Sequence, residues 1–186
     1  MAILPIAKLG EPILRRLADP VGPDELMATG TQALIDDMIE TMRSANGLGL
    51  AAPQVFVSKQ IAVLQLAPSA RYPDAPVSGL LTVINPVFSD QSSEMIQGWE
   101  GCLSLENLRG LVPRHAALTL DALDRQGQPL HLAVTGFLAV VLQHELDHLW
   151  GKLFIDRMAD LSTLSHQREY DRHWSPLWQR AGGAPV

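Results

Sequence analysis

The fold is decided by the stretch TGFLAVVLQHELDHLWG, residues 135–151. Apolar residues crowd its first half, and their density predicts a helix from about Phe137 to Trp150. Thr135 is a residue type that favours the position before a helix, and Gly151 is one that favours the position after it. We therefore expect a largely apolar helix at the centre of the domain.

The second half of this helix carries the motif HExxH as His144-Glu145-Leu146-Asp147-His148. Residues four apart lie on the same face of a helix, so His144 and His148 can bind one metal ion together. Glu145 lies about 100° further round the helix, close enough to act as a general base without being a ligand. An isolated match to this motif is also compatible with an ordinary solvated helix face.

A catalytic metal site needs a third protein ligand and one open position. The downstream histidine of many zinc peptidases is absent here, because Phe154 stands where it would be. Cys102 is the better candidate, since it is the only cysteine and lies in EGCLS, residues 100–104. Asp156 and Glu169 remain alternative carboxylate ligands, and a lone cysteine is also compatible with a small buried apolar residue.

Length and composition describe an ordinary globular enzyme or binding domain. The 186 residues fit one domain with its own core, and 47% of them are hydrophobic. A formal net charge of −6 argues against a general nucleic-acid binder. The sequence shows no secretory signal, no arginine-rich transit segment and no run of 18 apolar residues, so we expect no membrane span and a cytoplasmic location, with an organelle as the alternative.

The remaining patterns predict strands that pair with sequence neighbours, with helices segregated from them, which is typical of an α+β fold. The predicted elements are an amphipathic helix from Asp24 to Ser44, a strand from Gln60 to Leu66, a strand from Leu81 to Ile84 that turns at Asn85-Pro86, a hairpin of residues 118–122 and 130–134 about the turn 124–127, and a polar closing helix from Leu161 to Trp174. The proline-rich residues 67–79 predict a surface loop.

Three segments resemble the signature motifs of the peptide deformylase family. They are GLGLAAPQ at residues 47–54, EGCLS at 100–104 and HELDH at 144–148, each present once and in the family's order. The first motif alone would be weak, but the three together are highly specific. The resemblance runs to about Met158 and implies one deformylase-like domain over residues 1–186, variable beyond about residue 159. It also implies antiparallel sheets packed around the central metal-binding helix, with an amphipathic helix before it and another helix at the C-terminus.

This resemblance implies that the chain hydrolyses the N-formyl group from the formyl-methionine of nascent polypeptides and releases formate. Three residues would hold one divalent ion, Fe²⁺ in most of the family, with Zn²⁺ or Ni²⁺ able to replace it: Cys102, His144 and His148. Glu145 would be the general base and then the acid. The side-chain amide of Gln54 and the backbone N–H of Leu103 would stabilise the oxyanion.

The resemblance also assigns the peptide-binding residues. The apolar pocket for the methionine side chain would be lined by Leu48, Phe137, Val140 and Val141. The other substrate contacts would come from Gly49, Glu100 and Gly101. The partners implied are N-formylmethionyl peptides and nascent chains near the ribosome. Neither a nucleic-acid specificity nor a membrane is implied.

Two features qualify the resemblance or extend it. Glu106 and Asn107 stand where the family commonly has proline followed by a small or acidic residue, and this loop borders the substrate cleft. Asp147 and Arg114 lie within matched segments, and we expect them to form an ion pair that supports the metal helix. The alternatives to a deformylase are an HExxH metallopeptidase and a catalytically silent homologue that binds formylated N-termini.

Overall fold

The computed structural model describes residues 2–68 and 77–180, with the backbone alone at 179 and 180. Its helices and strands, in chain order, are α1 (Pro23–Met27), α2 (Thr29–Ser44), β1 (Gly49–Ala51), β2 (Ile61–Leu64), β3 (Leu81–Ser89), β4 (Met95–Cys102), β5 (Leu105–His115), β6 (Ala117–Leu123), β7 (Pro129–Thr135), α3 (Gly136–Leu149), β8 (Ser165–His166), α4 (Gln167–Glu169) and α5 (Ser175–Arg180). Short 3-10 turns occur at Pro12–Arg15, Ala52–Val55, Phe154–Asp156 and Leu161–Thr163, and a π-helical turn at Tyr170–Trp174. The predicted α+β class is confirmed.

Two antiparallel sheets surround the helix α3. The larger sheet has five strands in the order β1-β2-β3-β6-β7, and the smaller has three in the order β4-β5-β8. Helix α3 contacts β1, β2, β6 and β7 of the larger sheet and β5 of the smaller one. The prediction of a central helix between antiparallel sheets is therefore confirmed.

Helix α3 is buried along most of its length because both sheets cover it. Every residue from Ala139 to Leu149 is buried, including the polar ones. Thr135 is the N-cap residue as predicted, although its side chain makes no capping hydrogen bond. The helix ends before Gly151, which has a φ of +67°, and a Cβ there would lie 2.7 Å from the Arg15 carbonyl oxygen. Glycine is therefore required at this exit from the helix.

The predicted helix from Asp24 to Ser44 is two helices, so that prediction is wrong in its continuity. Ala28 has an extended backbone with a ψ of 140° and separates α1 from α2. The start is set by Gly22 as N-cap with Pro23 in the first turn, one residue before the predicted start. Helix α2 keeps the predicted apolar face, which packs against β1 and β2. The chain then leaves this helix through Asn46, whose φ of +53° is left-handed.

The predicted turn at Asn85-Pro86 is a bulge within β3, so the strand runs on to Ser89. Proline has no N–H to donate, and a bulge lets it lie in a strand without breaking the ladder further along. The Asn85 side chain holds the bulge, since it accepts from the Val21 N–H and donates to the Val21 carbonyl, both at 2.8 Å. The strand at 61–64 and the hairpin of β6 and β7 lie where they were predicted.

The C-terminal prediction is wrong over its first half. Residues 161–163 form a 3-10 turn, and Ser165–His166 form β8, which pairs with the edge of β5. Continuous helical structure begins at Gln167, after β8, and runs to Arg180. The predicted loop at 67–79 lies mostly outside the described residues. Within the described ranges, no helix is long and apolar enough to cross a membrane.

Candidate active site

Three potential metal ligands come together between β4 and α3. Cys102 ends β4, and His144 and His148 lie one turn apart on α3. One ligand atom of each lies within 4.8 Å of the other two, and all three residues are buried. Cys102 Sγ lies 3.3 Å from His148 Nε2. The geometry thus gathers a thiol and two imidazoles around one point, a donor set suited to a single divalent ion.

The electrostatics of this cluster favour a cation. Burial opposes a thiolate, but His148 and His144 hold the pKa of Cys102 well below its usual range. Burial also opposes a charged imidazole, yet Cys102 and Glu100 raise the pKa of His144. A thiolate beside a buried carboxylate therefore attracts positive charge, which a divalent ion supplies with release of the imidazole proton. On this chemistry the residues fit a metal ion.

Glu100 orients the ring of His144 through a hydrogen bond on the side away from the cluster. Nδ1 of His144 lies 2.7 Å from Glu100 Oε2, so Nε2 faces the cluster. Burial alone would raise the pKa of Glu100, but the Arg114 guanidinium and His144 lower it to about 2. The carboxylate is thus charged and committed to these two partners. Glu100 was predicted among the substrate contacts; it does line the cavity, with its oxygens turned to protein groups.

The predicted ion pair of Arg114 and Asp147 is confirmed. Arg114 Nη1 lies 2.6 Å from Asp147 Oδ2, and both side chains are almost fully buried. The same guanidinium donates to Glu100 at 2.7 and 3.0 Å. Sequence reasoning missed a fourth member, Arg157, which donates to Asp147 from the other side. Four charged groups therefore stand in line behind His144.

Glu145 is a buried carboxyl beside the three potential ligands. Desolvation raises its pKa to about 7, although His144 and His148 act in the opposite direction. Its Oε2 has no hydrogen-bond partner among the described residues. Gly49 faces it closely, since a Cβ on Gly49 would lie 2.5 Å from Glu145 Oε1. A carboxyl with a raised pKa and an unengaged oxygen is suited to accept a proton and return it.

The side chain of Gln54 is oriented by its neighbours. Its Oε1 accepts from the Ala51 N–H at 2.8 Å, which leaves Nε2 directed to the cluster. That nitrogen lies 3.5 Å from Cys102 Sγ and 3.2 Å from Ser104 Oγ. Sequence reasoning assigned no role to Ser104, which also donates its N–H to Cys102 Sγ at 3.4 Å. The amide therefore presents N–H donors beside the thiol of Cys102.

A single cavity joins these groups to an apolar wall. Every site residue predicted from the sequence lines it except His148, which lies deeper. Phe137, Val140 and Val141 form one wall, at positions i, i+3 and i+4 of α3. Leu48 and Val141 also belong to the larger apolar core, so these side chains serve packing and the cavity together. Gly47 lines the cavity as well, although the sequence predicted no role for it.

Comparison with known proteins decides the family. The family described as polypeptide deformylase matches residues 3–163. The chain belongs to the peptide deformylase family. Peptide deformylase 2 of Pseudomonas putida is 44% identical over 161 residues, which are 87% of this chain and 90% of that protein. Peptide deformylase 1 of Bordetella pertussis is 45% identical over 161 residues, again 87% of this chain and 90% of the relative.

Solved structures agree with this assignment. A class I type b peptide deformylase from Acinetobacter baumannii superposes with a TM-score of 0.83 at 42% identity, covering 86% of this chain and all of that one. The same protein with Met-Ala-Ser bound gives a TM-score of 0.82 at 43% identity, covering 84% of this chain and 99% of that one. The chain is therefore an enzyme that removes the N-formyl group from nascent polypeptides, and the endopeptidase alternative is not supported.

Other candidate ligands lie outside the metal cluster of this deformylase. Asp156 forms an ion pair with Arg15, and Glu169 faces His173. Neither belongs to the group of converging ligand atoms found among residues 2–68 and 77–180.

Glu106 and Asn107, which depart from the family pattern, were predicted in a loop, but they lie at the start of β5. Glu106 bonds to Lys8, whose ammonium also donates to the Leu103 carbonyl at 3.1 Å. Asn107 has a φ of +60°, a left-handed conformation that asparagine adopts more readily than most residues. The start of β5 thus holds one of these residues in an ion pair and the other in a left-handed backbone conformation.

Gly49→Ala is expected to lower kcat by at least about tenfold, because the new methyl group would displace the Glu145 carboxyl from the cluster. Gly30→Ala is the control, since no atom lies within 4 Å of a Cβ there. The measurements are kcat for a formylated peptide and metal content. A Gly49→Ala enzyme with wild-type kcat would show that the position of Glu145 is not critical.

Proposed function

We propose that Cys102, His144 and His148 hold the single divalent ion of this deformylase and that Glu145, Gln54 and Leu103 carry the hydrolysis around it. The observation that carries the proposal is the convergence of one thiol and two imidazole nitrogens within 4.8 Å, with a buried, unengaged carboxyl oxygen beside them. Bound there, the ion supplies Lewis-acid activation of water and of the formyl carbonyl.

Glu145 moves the proton in this proposal. It takes a proton from the attacking water as the water oxygen bonds to the formyl carbon. It then gives that proton to the amine nitrogen as the carbon–nitrogen bond breaks, so formate and a free N-terminus are released. Burial raises the pKa of Glu145 to about 7, close to neutral pH. This value supports both the uptake of the proton from water and its transfer to the amine.

Gln54 and Leu103 stabilise the negative charge that develops on the formyl oxygen. The amide of Gln54 is preorganised, since the Ala51 N–H holds its oxygen and turns its nitrogen toward Cys102. The backbone N–H of Leu103 follows directly after Cys102 and supplies a second donor. One such donor is typically worth about 2.7–4 kcal/mol of activation free energy.

Ferrous iron is the proposed native metal, as in the family that the three motifs resemble. A thiolate with two imidazoles binds several divalent transition metals, so zinc or nickel can replace it in a purified sample. Elemental analysis of protein purified without oxygen tests this. Iron close to one per chain is expected, and zinc in its place under those conditions would contradict the proposal.

The proposed substrates are peptides and nascent chains that begin with formyl-methionine. The cavity offers an apolar wall next to the metal cluster, and the related enzyme from Acinetobacter baumannii has a structure with Met-Ala-Ser bound. Because such chains arise at ribosomes, we propose that the enzyme acts in the cytoplasm close to them, as one domain spanning residues 1–186.

A direct assay tests the function. Formyl-Met-Ala-Ser should be deformylated by metal-loaded protein, with release of one formate per peptide, whereas casein should remain intact. Removing the ion with a chelator should abolish the reaction, and adding Fe²⁺ or Ni²⁺ should restore it. Binding of the formylated peptide with no formate released would instead support a catalytically silent homologue.

Phe137→Asp is expected to raise KM for formyl-Met-Ala-Ser by at least about tenfold and to leave the metal content unchanged. The substitution places a carboxylate on the apolar wall, where it would lose hydration without gaining a partner. For the same reason wild type should process formyl-Asp peptides much more slowly than formyl-Met peptides. Equal kcat/KM for the two peptides would show that this wall does not receive the first side chain.

A further inference from the structure

The line of charged groups behind His144 reaches the surface at Arg157. Glu100 accepts from His144, Arg114 joins Glu100 to Asp147, and Asp147 accepts from Arg157. Arg157 donates through Nη2 to Oδ1 of Asp147 at 2.6 Å and through Nε to Oδ2 at 3.1 Å. Asp147 is thus held by two guanidiniums, one buried and one reaching solvent.

Arg157 completes the charge balance of this line. The Arg114 guanidinium lies between two buried carboxylates, Glu100 and Asp147, and all three side chains are at most 4% exposed. Arg157 supplies the second positive charge, with its side chain 45% exposed. Without it, a buried carboxylate would be left with part of its hydrogen bonding unmet, which is costly. Arg114 would then be drawn toward Asp147 and away from Glu100.

The turn that carries Arg157 also touches His144 directly. The 3-10 turn Phe154–Asp156 ends at Arg157, whose N–H donates to the Phe154 carbonyl at 3.0 Å. The ring of Phe154 stacks on that of His144, with 6.3 Å between ring centroids and 18° between planes. This short turn therefore places Phe154 against the face of the His144 ring. It also places Arg157 where it pairs with Asp147.

We propose that Arg157 is a positioning residue for the metal centre. By holding Asp147, it leaves Arg114 free to bind Glu100, and Glu100 then fixes the Nδ1–H of His144 so that Nε2 points to the ion. Groups that orient a metal-ligating histidine typically change metal affinity or activity by about 10–100-fold when lost. Arg157 lies three groups behind Glu100 in this line, after Arg114 and Asp147, so an effect at the lower end of that range is expected. The inference rests on the proposed role of His144 as a metal ligand.

The test uses cobalt, whose absorption spectrum reports the geometry of its ligands. Arg157→Gln should release Co²⁺ to a chelator about tenfold faster than wild type, with altered visible absorption bands. It should lower kcat with little change in KM, because Arg157 does not line the substrate cavity. Arg157→Lys should recover part of the loss, since it restores the charge but not the two-pronged contact.

Arg125→Gln is the matched control. Arg125 is 29% exposed and forms an ion pair with Asp36 and hydrogen bonds with Gln32, on elements that do not reach the metal cluster. It should lower the melting temperature and leave the Co²⁺ spectrum and release rate unchanged. An Arg157→Gln variant with wild-type release rate and spectrum would overturn this inference alone. Wild-type protein that fails to bind Co²⁺ would overturn the proposed function and the inference with it.

Discussion

Glu145→Gln is expected to keep the fold and the metal and to lose about 10²–10⁴-fold of kcat for formyl-Met-Ala-Ser. Glutamine has nearly the same shape, so the buried site can accept it, but its amide cannot carry a proton from water to the leaving amine. The unengaged Oε2 of Glu145 makes the substitution mild for the structure, since no hydrogen bond among the described residues ends on that atom.

Glu94→Gln is the control for this experiment, because Glu94 is an exposed residue outside the cavity. It should have wild-type kcat. The measurements are steady-state kinetics, metal content and the melting temperature of each variant. Activity of Glu145→Gln within about tenfold of wild type, at full metal occupancy, would remove Glu145 from the role of proton carrier.

Local geometry is the part of the candidate site that could be predicted from the sequence. His144 and His148 lie on one face because a helix repeats every 3.6 residues, and the apolar run before them was enough to predict that helix. Phe137 and Val140 lie on the same helix, but their place in the pocket was implied by the family resemblance. The cavity lining could be anticipated because α3 carries much of it, and the matched motifs supplied the remaining residues.

Strands β4 and β5 were missed because their sequences do not alternate. Trp99, Glu100 and Cys102 are all buried, so polar and apolar residues face the interior together. A charged residue next to a tryptophan does not show the alternation that predicts a strand. Its burial is explained only by a partner that neutralises its charge. Arg114 is that partner, and it comes from the next strand of the hairpin.

Partners that are distant in sequence account for the other errors. Ser165 and His166 lie in a segment predicted as helix, but they add to the open edge of β5. Glu100 and His144 form a hydrogen bond although they are 44 positions apart. The sequence could therefore indicate only that Glu100 belongs to the site. The sequence did not predict a role for Arg157. Its contact with Asp147 depends on the turn Phe154–Asp156, which returns the chain to α3.

Cys102→Ser is expected to lose metal affinity by on the order of 10³-fold or more, and deformylation with it. Three protein groups share the binding free energy of the ion, which for thiolate and imidazole sites is about 10–16 kcal/mol in total. The thiolate contributes a full negative charge, and a serine hydroxyl stays neutral at pH 7. The neighbouring imidazoles favour that thiolate, since His148 and His144 hold the pKa of Cys102 well below its usual range against the effect of burial.

The ligand role of Cys102 is best measured as metal content after dialysis, since activity would also fall if only the oxyanion donors moved. Ser104→Ala is the matched control, because it changes the same hairpin and removes the contact of Ser104 Oγ with Gln54 but leaves every ligand atom in place. It should keep one ion per chain while its kcat falls. Both variants should retain the wild-type circular dichroism spectrum, because Cys102 makes no disulfide and serine is close to it in size.

Stoichiometric metal in Cys102→Ser would show that the ion is held without the thiolate. The two histidines would then require a different third partner, and the arrangement proposed for this deformylase would be wrong at its centre.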